Sequence, residues 1–177
     1  MKNSNSETVP ILTTERLTLR PLSDKDGDEI FLLRSDPLIN KYLDRQHAVT
    51  IDDAFGFIEM IKNNIFSYWA ISRKGNDKLI GIICLFDISE ELKKCEIGYE
   101  LLNAYQGKGF MREAAIKLME YSIRTLGIST IDAHTHKDNQ SSTNLLQKLG
   151  FKNVDNLNET NSDFILFQLD MSGNNEA

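Results

Sequence analysis

The stretch from Cys95 to Ala115 constrains the fold more than any other part of the chain. It opens with residues typical of a β-strand, passes through Gly107 and Gly109, and continues into apolar residues that recur at helical spacing. Glycines adopt backbone conformations that other residues rarely adopt, and they let a ligand approach the main chain closely. The helix that follows would point its free N–H groups and the positive end of its dipole at this turn. A strand, a glycine turn and a helix are therefore expected here, in an order that favours an anion.

Positive charge beside the turn strengthens this interpretation, and two known phosphate loops are absent. Lys108 and Arg112 flank the second glycine. The nucleoside-triphosphate loop G-x-x-x-x-G-K-[ST] does not occur in the chain, and the dinucleotide pattern G-x-G-x-x-G would need a glycine where Arg112 stands. A glycine bend that only joins a strand to a helix, without a ligand, remains the structural alternative.

Periodicity over the rest of the chain predicts an α/β sandwich with a mixed, mostly antiparallel sheet of about seven strands. The predicted order is βααβββαβαββ. Its one parallel step joins strand 95–102 to strand 129–135 through the helix at 109–125, in a right-handed crossover. The other strands are expected at 16–22, 67–73, 79–88, 151–154 and 163–171, and the other helices at 24–34, from Thr50 onward and at 141–149.

The length and the charge fit one globular domain. The chain has 177 residues and a net charge of −6, so it can bury a full core, and its acidity argues against general nucleic-acid binding. We expect a single domain over residues 11–171, with disordered polar tails at 1–10 and 172–177. A monomer and a homodimer both remain open.

The two cysteines and the lengths of the apolar stretches indicate in which cellular compartment the protein is expected. Cys84 and Cys95 fall in predicted strands without metal-ligand spacing, which favours small core residues in a reducing cytoplasm. The longest apolar run, 79–86, is too short to span a bilayer, and residues 1–10 contain no apolar signal region. We therefore expect a cytoplasmic protein without a membrane partner.

The residues from Gln106 to Met111 resemble the acyl-CoA-binding motif Q/R-x-x-G-x-G/A of the GNAT superfamily of N-acetyltransferases. Met111 stands where that motif has a small residue, which changes the expected loop geometry but leaves a backbone N–H available. Two further segments resemble the ribosomal-protein alanine N-acetyltransferase (RimJ/RimL-type) branch. They are the opening strand at 14–22 and a second CoA-binding segment, Asp138–Ser142, followed by 149–151.

The resemblance implies a sheet that splays at its parallel pair and an enzyme that moves the acetyl group of acetyl-CoA to a primary amine by direct attack, without a metal. The strand before the loop would hold the pantetheine arm through backbone N–H groups, one of which would polarise the thioester carbonyl. Asn139 would hydrogen-bond the same arm. The implied cofactor-binding residues are Leu101, Leu102, Gln106, Gly107, Lys108, Gly109, Phe110, Met111, Arg112, Asn139 and Ser142.

The superfamily places its general base near the start of this strand, which corresponds to Glu96. Glu96 and Glu100 share one strand face with Gly98, so Glu100, a water chain or simple solvent exposure remain alternatives. Many relatives protonate the leaving thiolate with a tyrosine that has no counterpart here, since Tyr121 is the last tyrosine. Ser142 is the remaining candidate, as in the ribosomal-protein branch, and helix capping is its alternative role.

Four residues could form a metal site, although the proposed acetyl transfer does not require a metal. Asp132, His134, His136 and Asp138 fall on one strand face, and paired histidines can bind zinc, but solvent exposure or an acceptor pocket explains them equally well. No metal is therefore predicted. The acceptor is open between a protein N-terminal amine and a small amine such as a polyamine, an amino sugar or an amino-acid analogue. A non-catalytic CoA-binding module is the third hypothesis.

Overall fold

The computed structural model describes residues 9–63, 67–154 and 163–172. Most of the two predicted tails, and the end of the predicted helix near Ile65, lie outside these residues. No helix in the described part of the chain is long and apolar enough to cross a membrane. The described residues form β1 Leu12–Thr13, β2 Leu17–Arg20, α1 Gly27–Ser35, α2 Pro37–Asn40, α3 Ile51–Asn63, β3 Ser67–Arg73, β4 Asn76–Ser89, β5 Lys94–Leu101, α4 Phe110–Arg124, β6 Thr130–His136, α5 Gln140–Lys148, β7 Lys152–Asn153 and β8 Phe164–Asp170.

The strands form one sheet in the order β1-β2-β3-β4-β5-β6-β8-β7. β5 and β6 are parallel, whereas β1–β2, β2–β3, β6–β8 and β7–β8 are antiparallel. The predicted mixed, mostly antiparallel α/β fold is confirmed. The eighth strand is β1, which periodicity cannot detect because it is two residues long; Leu12 pairs with Leu19, and Thr13 with Thr18.

Capping side chains set where two helices begin. The Asp53 carboxylate accepts a hydrogen bond of 2.8 Å from the N–H of Thr50, the residue that precedes α3. Asp26 does the same for the N–H of Ser23, also at 2.8 Å. A 3-10 turn at Asp24–Asp26 consequently precedes α1, where a continuous helix from position 24 was expected.

The chain forms two compact units, one of residues 1–84 with 99–114 and one of residues 85–98 with 115–177. In the first unit, α1 and α3 bury their apolar faces on β3 and β4. The core of this unit contains Leu22, Ile30, Leu33, Ala54, Phe57, Ile58, Ile61, Ala70, Leu79 and Ile82. In the second unit the largely buried apolar side chains include Cys95, Ile97, Leu118, Ile131, Ala133, Leu146, Phe151 and Phe167.

The parallel ladder of the sheet is short. It pairs Lys94–Glu96 with Thr130–Asp132, although β5 continues to Leu101. On its other edge β6 pairs with β8 along its whole length. Among the described residues, the parallel pairing therefore covers only the first part of β5.

Gly81 provides a test of how closely β4 and β5 approach each other. A Cβ built at Gly81 would overlap the carbonyl oxygen of Glu100 and lie 3.1 Å from the Cα of Leu101. These are backbone atoms, which cannot move aside cheaply. Gly81→Ala is therefore expected to lower the free energy of unfolding by about 1–3 kcal/mol, measured by urea denaturation.

Gly56→Ala is the matched control for this variant. Gly56 lies on the exposed side of α3, and no atom lies within 4 Å of its added Cβ. Because alanine is the better helix former, this variant should be neutral or up to about 1 kcal/mol more stable. Equal destabilisation by the two substitutions would contradict the close approach of β4 and β5.

Candidate active site

The glycine loop connects the end of β5 to the start of α4 and is open above its two glycines. Gly107 has φ 72° and Gly109 has φ 77°, in the left-handed region that favours glycine. Apart from the residues adjacent in the chain, no described atom lies within 4 Å of a Cβ built at Gly107, and at Gly109 the one such atom is Nη2 of Arg16, at 3.4 Å. A ligand can therefore reach the main chain of this loop.

The first turn of α4 supplies donors to the same place. The first helical hydrogen bond runs from the N–H of Glu113 to the carbonyl of Gly109, at 3.1 Å. The N–H groups of residues 110–112 precede it, so the helix itself gives them no acceptor. Met111 is 8 % exposed, so its side chain is buried and does not fill the open side of the loop. The departure from the small residue of the motif therefore leaves the donors in place.

Glu113 and Arg16 clamp this loop. The Glu113 carboxylate accepts bonds from the N–H and the Nε–H of Arg16, at 2.9 and 2.6 Å, and from the hydroxyl of Thr14 at 2.5 Å. Burial by itself would raise the pKa of Glu113, but the bonds from Thr14 and Arg16 outweigh it and hold this pKa below its usual value. Glu113 is therefore an anionic anchor in the first turn of α4.

Arg16 extends the clamp to the loop backbone. Its Nη1 donates to the carbonyl of Lys108 at 3.1 Å, and its guanidinium lies 4.6 Å from the ring centroid of Phe110. The Lys108 carbonyl and the Gly109 N–H point in opposite directions from one planar trans peptide. By holding the carbonyl, Arg16 therefore fixes the direction in which the Gly109 N–H points.

Two of the remaining side chains bind backbone carbonyls of the loop itself, and a third is exposed to solvent. Gln106 donates to the carbonyl of Leu101 at 2.9 Å, and the Lys108 ammonium donates to the carbonyl of Ala104 at 2.7 Å. Arg112 is exposed and has no ion pair among the residues that the structure describes. Gln106 and Lys108 thus shape the loop, whereas Arg112 is the cation available to a ligand.

The structure separates the two backbone donors implied for the thioester. The Leu102 N–H donates to the carbonyl of Ile80 at 2.9 Å. It is therefore committed to β4, and the donor role implied for Leu102 is corrected. Peptide groups of successive strand residues face opposite edges. Leu101 consequently turns its N–H and its carbonyl away from β4 and remains the candidate donor.

Glu96 and Glu100 differ in their partners. Oε1 of Glu96 lies 2.8 Å from Nδ1 of His134, with Glu96 16 % and His134 48 % exposed. Both oxygens of Glu100 are bound by Arg45, at 2.5 and 2.7 Å. Glu100 faces a guanidinium, which cannot take up a proton, whereas Glu96 faces an imidazole, whose ring nitrogens can accept or donate one. Of the two, Glu96 is better suited to exchange a proton.

Asn139 and Ser142 begin α5 together. The side-chain oxygen of Asn139 accepts a bond of 3.2 Å from the N–H of Ser142, which makes Asn139 the N-cap residue. The capping role left open for Ser142 therefore belongs to Asn139. Ser142 itself lies half-buried in the first turn.

The residues that raised a metal site have other partners. Asp132 accepts from Nζ of Lys94 at 2.7 Å and from Nε2 of Gln168 at 2.9 Å, and the ring of His136 packs edge-on against Phe164. Within the described ranges, no three His, Cys, Asp or Glu side chains are grouped closely enough to hold a metal ion.

Sequence reasoning missed the contacts that join distant parts of the chain. Arg16 and Glu113 are 97 positions apart, Arg45 and Glu100 are 55 apart, and Glu96 and His134 are 38 apart. The segment that begins at Thr14 was singled out only by its resemblance. Its role in holding Glu113 becomes visible in the folded chain.

Many α/β proteins bind a phosphate-bearing ligand at the N-terminus of a helix. The open, basic glycine loop in the parallel step of this sheet has the form of such a site. The family model for the acetyltransferase (GNAT) domain matches residues 16–152. The chain belongs to this family, as its resemblance to the superfamily predicted, and it is an N-acetyltransferase. The family uses acetyl-CoA as the acetyl donor.

Curated relatives agree with this assignment. The chain is 35% identical over 148 residues to the uncharacterized N-acetyltransferase p20 of Bacillus licheniformis, covering 80% of this chain and 82% of that protein. It is 32% identical over 147 residues to the uncharacterized N-acetyltransferase YoaA of Bacillus subtilis (strain 168), covering 81% and 83%. The ribosomal protein uS5-alanine N-acetyltransferase of Escherichia coli (strain K12) is 28% identical over 154 residues, covering 80% and 77%.

Solved structures share the fold. A GNAT-family acetyltransferase from Bacillus anthracis superposes with a TM-score of 0.81 at 20% identity, covering 92% of this chain and 99% of that one. The spermidine N-acetyltransferase from Vibrio cholerae, in complex with CoA and spermine, gives 0.77 at 23% identity, covering 90% and 98%.

The loop of this chain fits the pyrophosphate of acetyl-CoA. Open space above Gly107 and Gly109 admits the phosphates, and the N–H groups at the start of α4 point out of the helix end. Arg112 adds a cation without an ion pair in the described structure. The fit rests on the shape and the charge of these residues.

Proposed function

We propose that the chain transfers the acetyl group of acetyl-CoA to a primary amine, with the glycine loop holding the pyrophosphate. The observation that carries this proposal is the open loop whose backbone Arg16 and Glu113 hold in place. The loop donors would bind the phosphates, and the Leu101 N–H would bind the thioester oxygen. The proposed cofactor-binding residues are Leu101, Gln106, Gly107, Lys108, Gly109, Phe110, Met111, Arg112, Asn139 and Ser142.

Glu96 is the proposed general base. An α-amine has a pKa of about 7.7–8.0 and a lysine amine about 10.4, so both are largely protonated at neutral pH. Glu96 would accept the amine proton, and the adjacent His134 imidazole could take it on. The amine nitrogen then bonds to the carbonyl carbon, the carbon–sulfur bond breaks, and the CoA thiolate leaves.

Ser142 is the proposed donor of the proton that this thiolate takes up. Asn139 would hydrogen-bond the pantetheine arm through the side-chain atoms that capping does not use. A thiol pKa near 8.5 makes the demand on this donor small. Solvent is the alternative source.

Two acceptor classes follow from the relatives. The name of the Escherichia coli relative specifies an alanine of a ribosomal protein, which supports a protein N-terminal amine as acceptor here. The Vibrio cholerae neighbour is a spermidine N-acetyltransferase, which supports a small amine as the second candidate.

The cysteines are consistent with a cytoplasmic location and with no catalytic thiol. Cys84 and Cys95 are both buried, and neither forms a disulfide in the described structure. Burial, followed by the nearby carboxylates of Asp132 and Glu96, raises the pKa of Cys95 to about 12. A buried thiol with this pKa is a poor nucleophile. We therefore propose a reducing compartment and an acetyl transfer that forms no acyl-cysteine.

The first test is CoA binding and turnover. The wild type should bind CoA in calorimetry and release free thiol from acetyl-CoA when an amine is added. Gly109→Asp places a side chain and a negative charge where the anion would lie, so CoA affinity should fall about tenfold or more. Gly75→Asp is the control, since Gly75 is also a positive-φ glycine with open space around it but lies in the β3–β4 turn. Equal CoA affinity in wild type and Gly109→Asp would refute the loop assignment.

The second test concerns the base. Glu96→Gln should lower kcat about 10²–10⁴-fold and leave CoA affinity unchanged. Glu120→Gln, on the exposed side of α4, is the control and should keep wild-type kinetics. If Glu96→Gln keeps wild-type turnover across the pH range, Glu96 is not the general base, and a water chain removes the amine proton.

The third test separates catalysis from capping in α5. Because Asn139 provides the cap, Ser142→Ala should lower kcat about tenfold or more in enzyme that is still folded and still binds CoA. Asn139→Ala should instead lower the free energy of unfolding by about 0.5–2 kcal/mol. An unchanged kcat in Ser142→Ala would leave solvent as the proton source.

A further inference from the structure

Two arginines and one glutamate form a cluster in the first unit whose charges do not cancel. Arg45 binds both oxygens of Glu100, at 2.5 and 2.7 Å, and it also donates to the side-chain oxygen of buried Asn40 at 2.8 and 2.5 Å. Arg34 on α1 brings a second guanidinium to the same pair. With Glu100 held by Arg45, one unit of positive charge is left unbalanced.

The neighbouring groups do not neutralise Arg34. Burial lowers its pKa, and repulsion from Arg45 lowers it further, while Glu100 and Tyr68 act in the opposite direction. Burial and contact with Cys84 raise the pKa of Tyr68, so its hydroxyl stays neutral. Arg34 remains protonated at any physiological pH because an arginine pKa lies far above it. It therefore carries its positive charge in a half-buried position.

The Arg34 guanidinium is held in place and has donors to spare. It lies 4.1 Å from the ring centroid of Phe57. Among residues 9–63, 67–154 and 163–172 its side chain makes no ion pair and no hydrogen bond. Stacking on a ring occupies one face of the guanidinium and leaves the N–H groups along its edge. A partly desolvated cation without a counter-ion gains free energy when an anion binds it.

The chemistry of the site identifies the anion. A planar guanidinium fork matches the two oxygens of a carboxylate, and one unbalanced positive charge matches one negative charge. A phosphate monoester carries nearly two negative charges. A polyamine would meet repulsion. The phosphates of CoA are assigned to the glycine loop and Arg112, so they do not require a second site at Arg34.

We propose that Arg34 binds a carboxylate of the acceptor, so that the enzyme acetylates an amine that also bears a carboxylate group, such as an amino acid. This inference rests on the proposed acetyl transfer. The cluster includes Glu100 at the end of β5 that leads into the glycine loop, and Arg34, Glu100 and this loop belong to the same unit. A carboxylate at Arg34 would therefore hold the acceptor beside this end of the strand. The site selects carboxylate-bearing amines and disfavours polycations.

The test uses matched acceptors on the wild-type enzyme. Amino acids and ω-amino acids of increasing length are each compared with their amides, which keep the amine and lose the carboxylate charge. Thiol release should give a kcat/KM about 10- to 100-fold higher for the best acid than for its amide, the range expected for a hydrogen-bonded charge pair. Equal rates for acids and amides would overturn the proposal. So would a higher rate for an aminoalkyl phosphate or for a polyamine.

Arg34→Gln tests the residue itself. It should raise KM about 10- to 100-fold for the carboxylate acceptor, leave the KM for its amide and for acetyl-CoA unchanged, and leave the melting temperature close to that of wild type. Arg34→Lys keeps the charge without the fork and should recover part of the loss. Arg73→Gln, at an exposed position of β3, is the control. A rise in the KM for acetyl-CoA alone would assign Arg34 to the cofactor and overturn the proposal.

Calorimetry separates this inference from the proposed function. The preferred amino acid is titrated into the complex of the protein with CoA. Binding to wild type that weakens about tenfold or more in Arg34→Gln supports the carboxylate site even if no acceptor releases thiol, in which case the acetyl-transfer proposal fails alone. Thiol release with no preference for carboxylates leaves acetyl transfer standing and overturns the role of Arg34.

Discussion

The ion pair between Arg16 and Glu113 is the interaction on which the glycine loop depends. Gly107 and Gly109 have no side chains to hold them, and their conformations belong to a region that is favourable only for glycine. Such a loop is flexible in isolation, because glycine loses the most conformational freedom on ordering. Arg16 binds Glu113 in the first turn of α4 and the Lys108 carbonyl in the loop. It therefore holds the N–H groups of the loop and those of the helix start in fixed positions.

The same contacts explain why an exposed loop can be a binding site at all. Donors that are already aimed at a ligand cost little ordering entropy when the ligand binds. The opening segment of the chain therefore contributes to the order of the loop through its bonds to Glu113 and to the Lys108 carbonyl. Thr14 and Arg16 act through Glu113, whose lowered pKa shows that the carboxylate is stabilised in its charged form.

Charge is distributed unevenly over an acidic molecule. The chain carries a net charge of −6, yet Arg112 at the glycine loop and Arg34 over the ring of Phe57 have no ion pair in the described structure. Cations left unpaired in an acidic protein favour anions that are bound and released rather than permanent partners. On one strand, Glu100 is neutralised by Arg45, whereas Glu96 is held against a titratable histidine. Glu96 and Glu100 therefore differ in their capacity to exchange a proton because their neighbours differ.

Local patterns in the sequence determined the order of the elements and the position of the loop. The glycine turn, the helix after it and the start of α3 depend on neighbouring residues, and each was predicted at or within a few residues of its observed place. For Ser142 the sequence left capping open as an alternative to catalysis, and the structure shows that the side chain of Asn139 accepts the capping bond. The two-residue β1 had too short a pattern to be recognised.

Only the tertiary structure decided the partners of the functional residues. Arg16 with Glu113, Arg45 with Glu100 and His134 with Glu96 are far apart in sequence, so no local spacing could reveal them. The engagement of the Leu102 N–H with β4, and the unbalanced charge at Arg34, likewise depend on which strands and helices lie side by side. The sequence alone determined the kind of site, because backbone conformation is local, and the fold decided which groups are free to act, because hydrogen bonds and charges are settled by contacts across the chain.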